Sequence, residues 1–297
     1  MKLLMTSLKE YLDIRRSFGY QLNDTERYLK HFISFLIDNG YQYITAQSAI
    51  KWATLSLEVK RSHCSRRLSM VRLFAQYRIA DDPRTEIPSL HLLSQQPNRA
   101  HPYIYSDREI RQLLVACQSL SSRGLRQHTY YTFFGLMAVT GCRISELVAL
   151  NRDDLDVNNG WITIWNTKGS KSRLLPLHNP TIGQLKQYSK IRDTYPHDTN
   201  AFFVSDQGTR VTVWSARNAF IQVSMKIGLR KPTDSHGPRI HDIRHTFAIK
   251  TLLDWYRRGL DINQKISLLS TYLGHKKPTD TYWYITGTPE LLAQAAN

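Results

Sequence analysis

Thr140-Gly-Cys-Arg-Ile-Ser-Glu-Leu147 is the stretch from which the organisation of this chain is best read. Before it, Tyr130 to Thr140 has the composition of a buried helix. Gly141, lacking a Cβ, permits a sharp turn, and Ile144 to Leu150 restarts a helix. Arg143 therefore sits at a helix start, where free backbone amides and the dipole favour an anion. A guanidinium placed there can grip two phosphate oxygens at once. Taken alone, a surface pair of Arg143 with Glu146 is the better reading, so the surroundings must decide.

Downstream lies an expected β-meander. Asn158-Asn159-Gly160 is a turn, Trp161 to Trp165 alternates as a strand, Lys168-Gly169-Ser170 is a second turn, and Arg173 to Leu177 is the return strand. A lysine at a hairpin tip can reach into a DNA groove, although lysine is also an ordinary turn residue. From Thr212 onward the pattern is helical. It carries His241-Asp-Ile-Arg-His245, whose two histidines lie one turn apart. That spacing invites comparison with HExxH zinc sites, but Asp242 stands where the glutamate base would be, with a shorter arm. Leu273-Gly-His275 follows, and nine residues later comes Tyr284, flanked by Trp283 and Tyr282. A buried aromatic stripe would explain that last segment equally well.

Upstream, a capping box Ser106-Asp-Arg-Glu109 opens a helix containing Leu113, Leu114 and Cys117. Residues 81–103 lose periodicity and contain Pro83, Pro88, Pro97 and Pro102, the mark of a linker. Before it, four helical segments are expected. Their apolar residues are Leu8, Tyr11, Leu12 and Phe18; then Tyr28, Phe32, Phe35 and Leu36; then Ile50, Trp52 and Leu55; then Leu68, Val71, Phe74 and Ala75. The expected domains are 1–90, helical, and 104–297, with 91–103 as the linker between them. The class is mainly α with a small antiparallel sheet in the second domain.

Charge restricts the partners. The 297 residues include 40 Lys and Arg against 24 Asp and Glu, a net +16. Residues 1–100 hold 15 basic and 9 acidic side chains and residues 101–297 hold 25 and 15, so both domains are expected to face one polyanion. The densest basic stretch, Lys60, Arg61, His63, Arg66, Arg67 and Arg72, leads into the fourth helix and is expected to contact DNA phosphates, together with Lys171 and Arg173 on the hairpin. The longest nearly apolar run, Tyr130 to Cys142, falls short of the roughly 20 residues that span a bilayer. The start turns polar at Thr6 and has no signal-peptide core, so a cytoplasmic, nucleoid-associated protein is expected. Cys64, Cys117 and Cys142 form no CxxC pair and read as small buried hydrophobes.

Each motif is weak alone, but their order is not. An arginine after a glycine turn, a hairpin lysine, His-x-x-Arg, Gly-His and a tyrosine, in a basic two-domain chain, resemble the tyrosine recombinases, or phage integrase family. The resemblance is sharpest at 140–150, 161–177, 237–250 and 272–289. It implies a C-shaped two-domain clamp on DNA, and strand cleavage and rejoining through a 3′-phosphotyrosyl intermediate without metal, cofactor or ATP. By the same resemblance Arg143 and Arg244 bind the phosphate, Lys168 is the acid, His241 accepts the nucleophile's proton, His275 adds a hydrogen bond, and Tyr284 is the nucleophile. Tyr282 and Lys171 are the alternative assignments for nucleophile and acid. The implied partner is double-stranded DNA bearing an inverted-repeat recombination site, bound as a tetramer on two duplexes, with accessory recombinases and no membrane. The ending Pro278-Thr-Asp-Thr-Tyr-Trp-Tyr-Ile-Thr with Pro289-Glu-Leu-Leu looks closest to integrases of transposons and other mobile elements, whose work is DNA integration and transposition. A strand-relaxing enzyme of the type IB class and a DNA-binding protein without activity remain the alternatives.

Overall fold

The computed structural model describes residues 2–55, 61–93, 102–120, 124–167, 171–234, 237–275, 277 and 279–286, with the backbone alone at 2, 166, 167, 171 and 286. Lys60 and Lys168 lie outside the described residues, as does the side chain of Lys171. The chain divides into two compact units, Met1–Ala100 and His101–Asn297.

In the first unit α1 (Lys2–Ser17), α2 (Asn23–Asp38), α3 (Ala46–Ala53) and α4 (Arg61–Arg78) enclose one core. α2 buries Leu29, Phe32, Ile33 and Leu36, a stripe at helical spacing. α3 starts at a reciprocal cap: Thr45 Oγ1 accepts from the Ser48 amide at 3.0 Å, and Ser48 Oγ accepts from the Thr45 amide at 3.1 Å. Trp52 is fully buried and its indole donates to His31 Nδ1 at 2.8 Å. Phe18 and Leu55, expected in the core, are exposed because each lies just past the end of its helix.

The basic stretch is not the uniform phosphate-facing strip that was expected. Arg61 and Arg66 are exposed, and Arg66 shares Asp24 at 3.3 Å. Arg67 lies over the rings of Tyr28 and Trp52. Arg72 must be removed from the DNA-contact set. It falls four residues after Leu68 and three before Ala75, on the buried face of α4, and donates to Pro88 O and Ser89 O, both at 2.7 Å. It ties down the segment after α4 instead of facing a polyanion.

In the second unit α5 (Asp107–Cys117) opens at the Ser106/Glu109 capping box, where the Glu109 amide donates to Ser106 Oγ at 3.2 Å and the Ser106 amide to Glu109 Oε2 at 2.7 Å. α6 (Leu125–Thr140) ends at Gly141, whose φ of 62° is left-handed, and α7 (Ile144–Ala149) follows at once. β1 (Leu155–Asp156), β2 (Trp161–Thr167) and β3 (Lys171–Pro176) form an antiparallel sheet in sequence order. Ile162, Ile164 and Leu175 point into the core while Trp165 and Leu174 are exposed, as a period of two requires. α8 (Asn179–Arg192), with Pro180 in its first turn, is a helix the sequence reading passed over.

The remaining helices are α9 (Val213–Lys226), α10 (Ile240–Arg257), α11 (Ile262–Leu273) and α12 (Thr279–Thr286). α6 runs through the main core, with Phe133, Phe134 and Met137 packed against Phe203 and Phe220 and their neighbours. A satellite core of Ala248, Ile249, Leu252, Leu269, Leu273 and Tyr284 joins α10, α11 and α12. All three cysteines are free and buried. Among the described residues no helix is long and apolar enough to cross a membrane.

Gly141 is irreplaceable for two separate reasons. A Cβ there would stand 2.5 Å from Phe247 Cδ1, and its φ disfavours any L side chain. Gly141→Ala is expected to lose about 1–2 kcal/mol to the left-handed backbone and about 1–3 more to overpacking. Gly228, at φ +77° with open space around it, isolates the first effect. Denaturant unfolding should therefore place Gly228→Ala between the parent and Gly141→Ala; equal losses for the two would refute the packing argument.

Candidate active site

The site is assembled at the C-terminal end of α11. The last carbonyls of a helix have no partner within it and carry the negative end of its dipole. Here three arginines from three other elements take them in succession. Arg173 Nε from β3 donates to Tyr272 O at 2.7 Å, Arg244 Nη2 from α10 to Leu273 O at 2.7 Å, and Arg143 Nη2 to Gly274 O at 2.8 Å. Gly274 closes the helix with a left-handed φ of 68°; a Cβ on it would meet Arg173 Nη1 at 2.9 Å.

Arg244 is the most deeply placed of the three, 1% exposed, and its Nη1 also donates to Gly141 O, the C-cap of α6, at 2.8 Å. Burial, with the Arg143 charge nearby, lowers its pKa to about 10, so it stays cationic at neutral pH. Glu146 pairs with the other two. Arg143 Nη1 lies 2.7 Å from Glu146 Oε1, while Arg173 Nη1 and Nη2 reach Oε1 and Oε2 at 3.1 and 2.9 Å. Burial pushes the Glu146 carboxyl up, but the Arg173 fork and the Arg143 amide and charge outweigh it and leave the pKa below its ordinary value. Glu146 also caps α7 by accepting from the Arg143 amide at 2.8 Å. The ion pair of Arg143 with Glu146 thus exists, and it is what holds Arg143 in the cluster.

Arg173, expected to touch DNA, is corrected by the same geometry. It shares the inward face of β3 with Leu175 and pairs in register with Ile164, so its side chain enters the protein, where it is 10% exposed. It supports the site from within.

α10 supplies His241, Arg244 and His245 from its first turns, its start fixed by Asp242 accepting from the Arg239 amide at 2.8 Å. His275 follows Gly274 directly; its Nδ1 is 2.6 Å from Thr281 Oγ1 at the head of α12. Tyr284 on α12 is 3% exposed, its ring stacked near His275 with centroids 6.1 Å apart, and its hydroxyl lies 3.1 Å from His245 Nδ1. Tyr282, by contrast, is 43% exposed. His241 packs edge-on to His245 at 4.8 Å. Although His241 reaches solvent, the protein packed around it and then the Arg244 charge hold its pKa down to about 4. Burial followed by the charges of Arg244 and Arg143 does the same to His275, also to about 4. His245 is pushed to about 3, by burial first and then by His241.

The structure therefore gathers Arg143, Arg244, His241, His275 and Tyr284, while Lys168 lies outside the described residues. Glu146, Arg173 and His245 were not among the residues expected to act here. The capping position of Glu146 and the strand parity of Arg173 were visible signals; the approach of His245 to Tyr284 was not. Among the described residues no three His, Cys, Asp or Glu side chains cluster as a metal site.

Comparison with known proteins shows the family of the chain. The sequence model of the phage integrase family matches residues 104–290. The integrase/recombinase y4rB of Sinorhizobium fredii is 42% identical over 99% of this chain and 96% of its own length. The tyrosine recombinase XerD of Oceanobacillus iheyensis is 30% identical over 83% and 76% respectively. Among solved structures the Tn1549 transposon integrase, in complex with transposon right end DNA, superposes with a TM-score of 0.70 at 17% identity, covering 98% of each chain. That last likeness is one of fold.

The neutral histidines make a prediction about acid. Unfolded histidine titrates near 6.5, whereas His241, His245 and His275 stay neutral to about 4, 3 and 4. Below pH 6.5 the unfolded chain thus binds more protons than the folded one, and stability falls as pH falls. The limiting slope is about 1.4 kcal/mol per pH unit for each histidine held fully neutral. Melting temperature should drop steadily from pH 7 to pH 5, and His245→Asn should flatten the drop. A parental slope retained in that variant would contradict this account.

Proposed function

The chain belongs to the phage integrase family, the tyrosine-type site-specific recombinases that cut and rejoin DNA, and on that premise we propose which of its residues do the work. The observation that carries the proposal is the convergence of Arg143, Arg244 and His275 on the end of α11 beside the Tyr284 hydroxyl.

A phosphodiester resists attack because its charge repels nucleophiles and its alkoxide leaves poorly. Each guanidinium has five N–H donors. In Arg143 and Arg244 two bonds per side chain go to carbonyls or Glu146, leaving donors for non-bridging phosphate oxygens. Held this way, they stabilise the charge that grows on pentacoordinate phosphorus. His275, with Nδ1 engaged by Thr281, keeps Nε2 for the same oxygens. Tyr284 attacks phosphorus, forming a 3′-phosphotyrosyl bond and releasing a 5′-hydroxyl. His241 accepts the phenolic proton, and the arriving phosphate, an opposite charge, raises its pKa toward that task. Lys168 protonates the departing 5′ oxygen. Attack by the 5′-hydroxyl of a partner strand then reseals the DNA, with the bond energy conserved in the phosphotyrosine and no ATP needed. The guanidiniums take the charge-stabilising part that a metal plays elsewhere.

The substrate is double-stranded DNA with an inverted-repeat site, on which four protomers join two duplexes, with accessory recombinases. Residues 1–90 bind DNA, 91–103 link, and 104–297 catalyse. Exposed Arg61 and Arg66, with Arg67, Lys60 and Lys171, contribute phosphate contacts. The reaction is site-specific recombination of the DNA of a mobile element, and a DNA substrate fits work in the cytoplasm at the nucleoid.

A nicked suicide duplex, from which the cleaved fragment diffuses away, should accumulate a covalent protein–DNA adduct in EDTA. Tyr284→Phe should abolish the adduct while DNA affinity persists. Loss in Tyr282→Phe instead would reassign the nucleophile, and inhibition by EDTA would overturn the metal-free mechanism.

The acid is tested separately. Lys168→Ala should cleave ordinary DNA about 10²–10⁴-fold more slowly. It should recover on a strand whose bridging 5′ oxygen is replaced by sulfur, a leaving group that needs no proton. Arg143→Ala should not recover. Rescue of Lys171→Ala in place of Lys168→Ala would move the acid three residues along the hairpin, and rescue of neither would remove it from the hairpin.

A further inference from the structure

The hydroxyl of Tyr284 lies where α12 packs on α10, and it meets a residue that the proposed chemistry does not use. Its oxygen lies 3.1 Å from Nδ1 of His245. The imidazole is itself held by three rings: His241 edge-on at 4.8 Å, Trp283 at 5.5 Å and Tyr284 at 5.4 Å between centroids. His245 comes directly after Arg244, so the backbone of α10 fixes its position relative to the phosphate-binding guanidinium.

Resting on the assignment of Tyr284 as nucleophile, we propose that His245 is a positioning residue for the attack: its Nδ1 accepts the phenolic hydrogen and thereby sets where the oxygen sits and where its lone pairs point. A phenol hydroxyl donates to Nδ1 only when that nitrogen is bare, which requires the neutral ring with its hydrogen on Nε2. Burial and the surrounding His241, Arg239, Arg244 and His275 keep the ring neutral far below physiological pH, and the tautomer with its hydrogen on Nε2 is the one the proposal assigns. The same environment makes the ring a poor proton acceptor, so it orients the oxygen in the resting site, and the O–H turns out of this bond as the phosphate arrives and the proton passes to His241. With the O–H directed at His245, the lone pairs face away from it. The hydrogen bond also helps to hold the oxygen in place, and nucleophilic attack is sensitive to displacements of about 1 Å.

Two substitutions separate the hydrogen bond from mere packing. Asn Oδ1 occupies nearly the place of His Nδ1 and can accept; Phe fills the ring's space and cannot. On the suicide duplex at saturating protein, His245→Phe should slow adduct formation about 10- to 100-fold with unchanged affinity for DNA, and His245→Asn should recover most of that loss. With 3-fluorotyrosine installed at position 284, the fluorine resonance should move in the Phe variant and return toward the parental shift in the Asn variant. Adduct formation by Tyr284→Phe would overturn the nucleophile assignment itself. Its absence there, together with a parental or faster rate in His245→Phe, would overturn only the role of His245. Equal slowing in the Asn and Phe variants with equal loss of melting temperature would likewise reduce His245 to a packing residue.

Discussion

The buried Arg244 guanidinium is the contact on which the rest of the site depends. It joins Gly141 O, at the end of α6, to Leu273 O, at the end of α11, with hydrogen bonds of 2.8 and 2.7 Å. Moving a cation out of water costs several kcal/mol, which only good hydrogen bonds and opposite partial charges offset. Two helix C-termini supply both, because their last carbonyls lack partners and carry the negative ends of the dipoles. In return the cation fixes the separation of the two helices, and with it the places of Arg143, which follows the first, and His275, which follows the second. Helix ends more familiar as anion sites at their amino termini here serve as cation holders at their carboxyl termini.

Glu146 completes this arrangement electrostatically. Three guanidiniums on one helix end would repel one another without a counter-charge, and the only carboxylate bonded to Arg143 and Arg173 among the described residues is Glu146. It leaves the cluster with net positive charge, suited to one phosphodiester. Burial first, and then the positive charges nearby, hold the three histidines neutral in the free protein.

Strand parity and helix periodicity carried more information than composition did. Arg72 and Arg173 were both grouped with DNA contacts because they stand in basic stretches. Yet Arg72 lies on the stripe of Leu68 and Ala75, and Arg173 on the face of Leu175. Both are drawn inward by backbone carbonyls, a destination that a count of charges does not see. α8 is faint in the sequence because its apolar residues Ile182, Leu185 and Tyr188 are spaced three apart among lysines and glutamines.

By itself the sequence determined the class of fold, the helical first unit, the meander and the motifs that mark the family, because each is written in local patterns: apolar periodicity, capping residues, glycine turns and fixed short spacings. Tertiary structure alone decided which histidine meets Tyr284. His241 and His245 are on the same helix face by spacing. The choice between them depends on how α12 lies against α10, a relation between segments about 40 residues apart that no local pattern encodes. It also decided that three arginines distant in sequence share the end of α11, since carbonyl groups at a helix terminus select their partners by position in space.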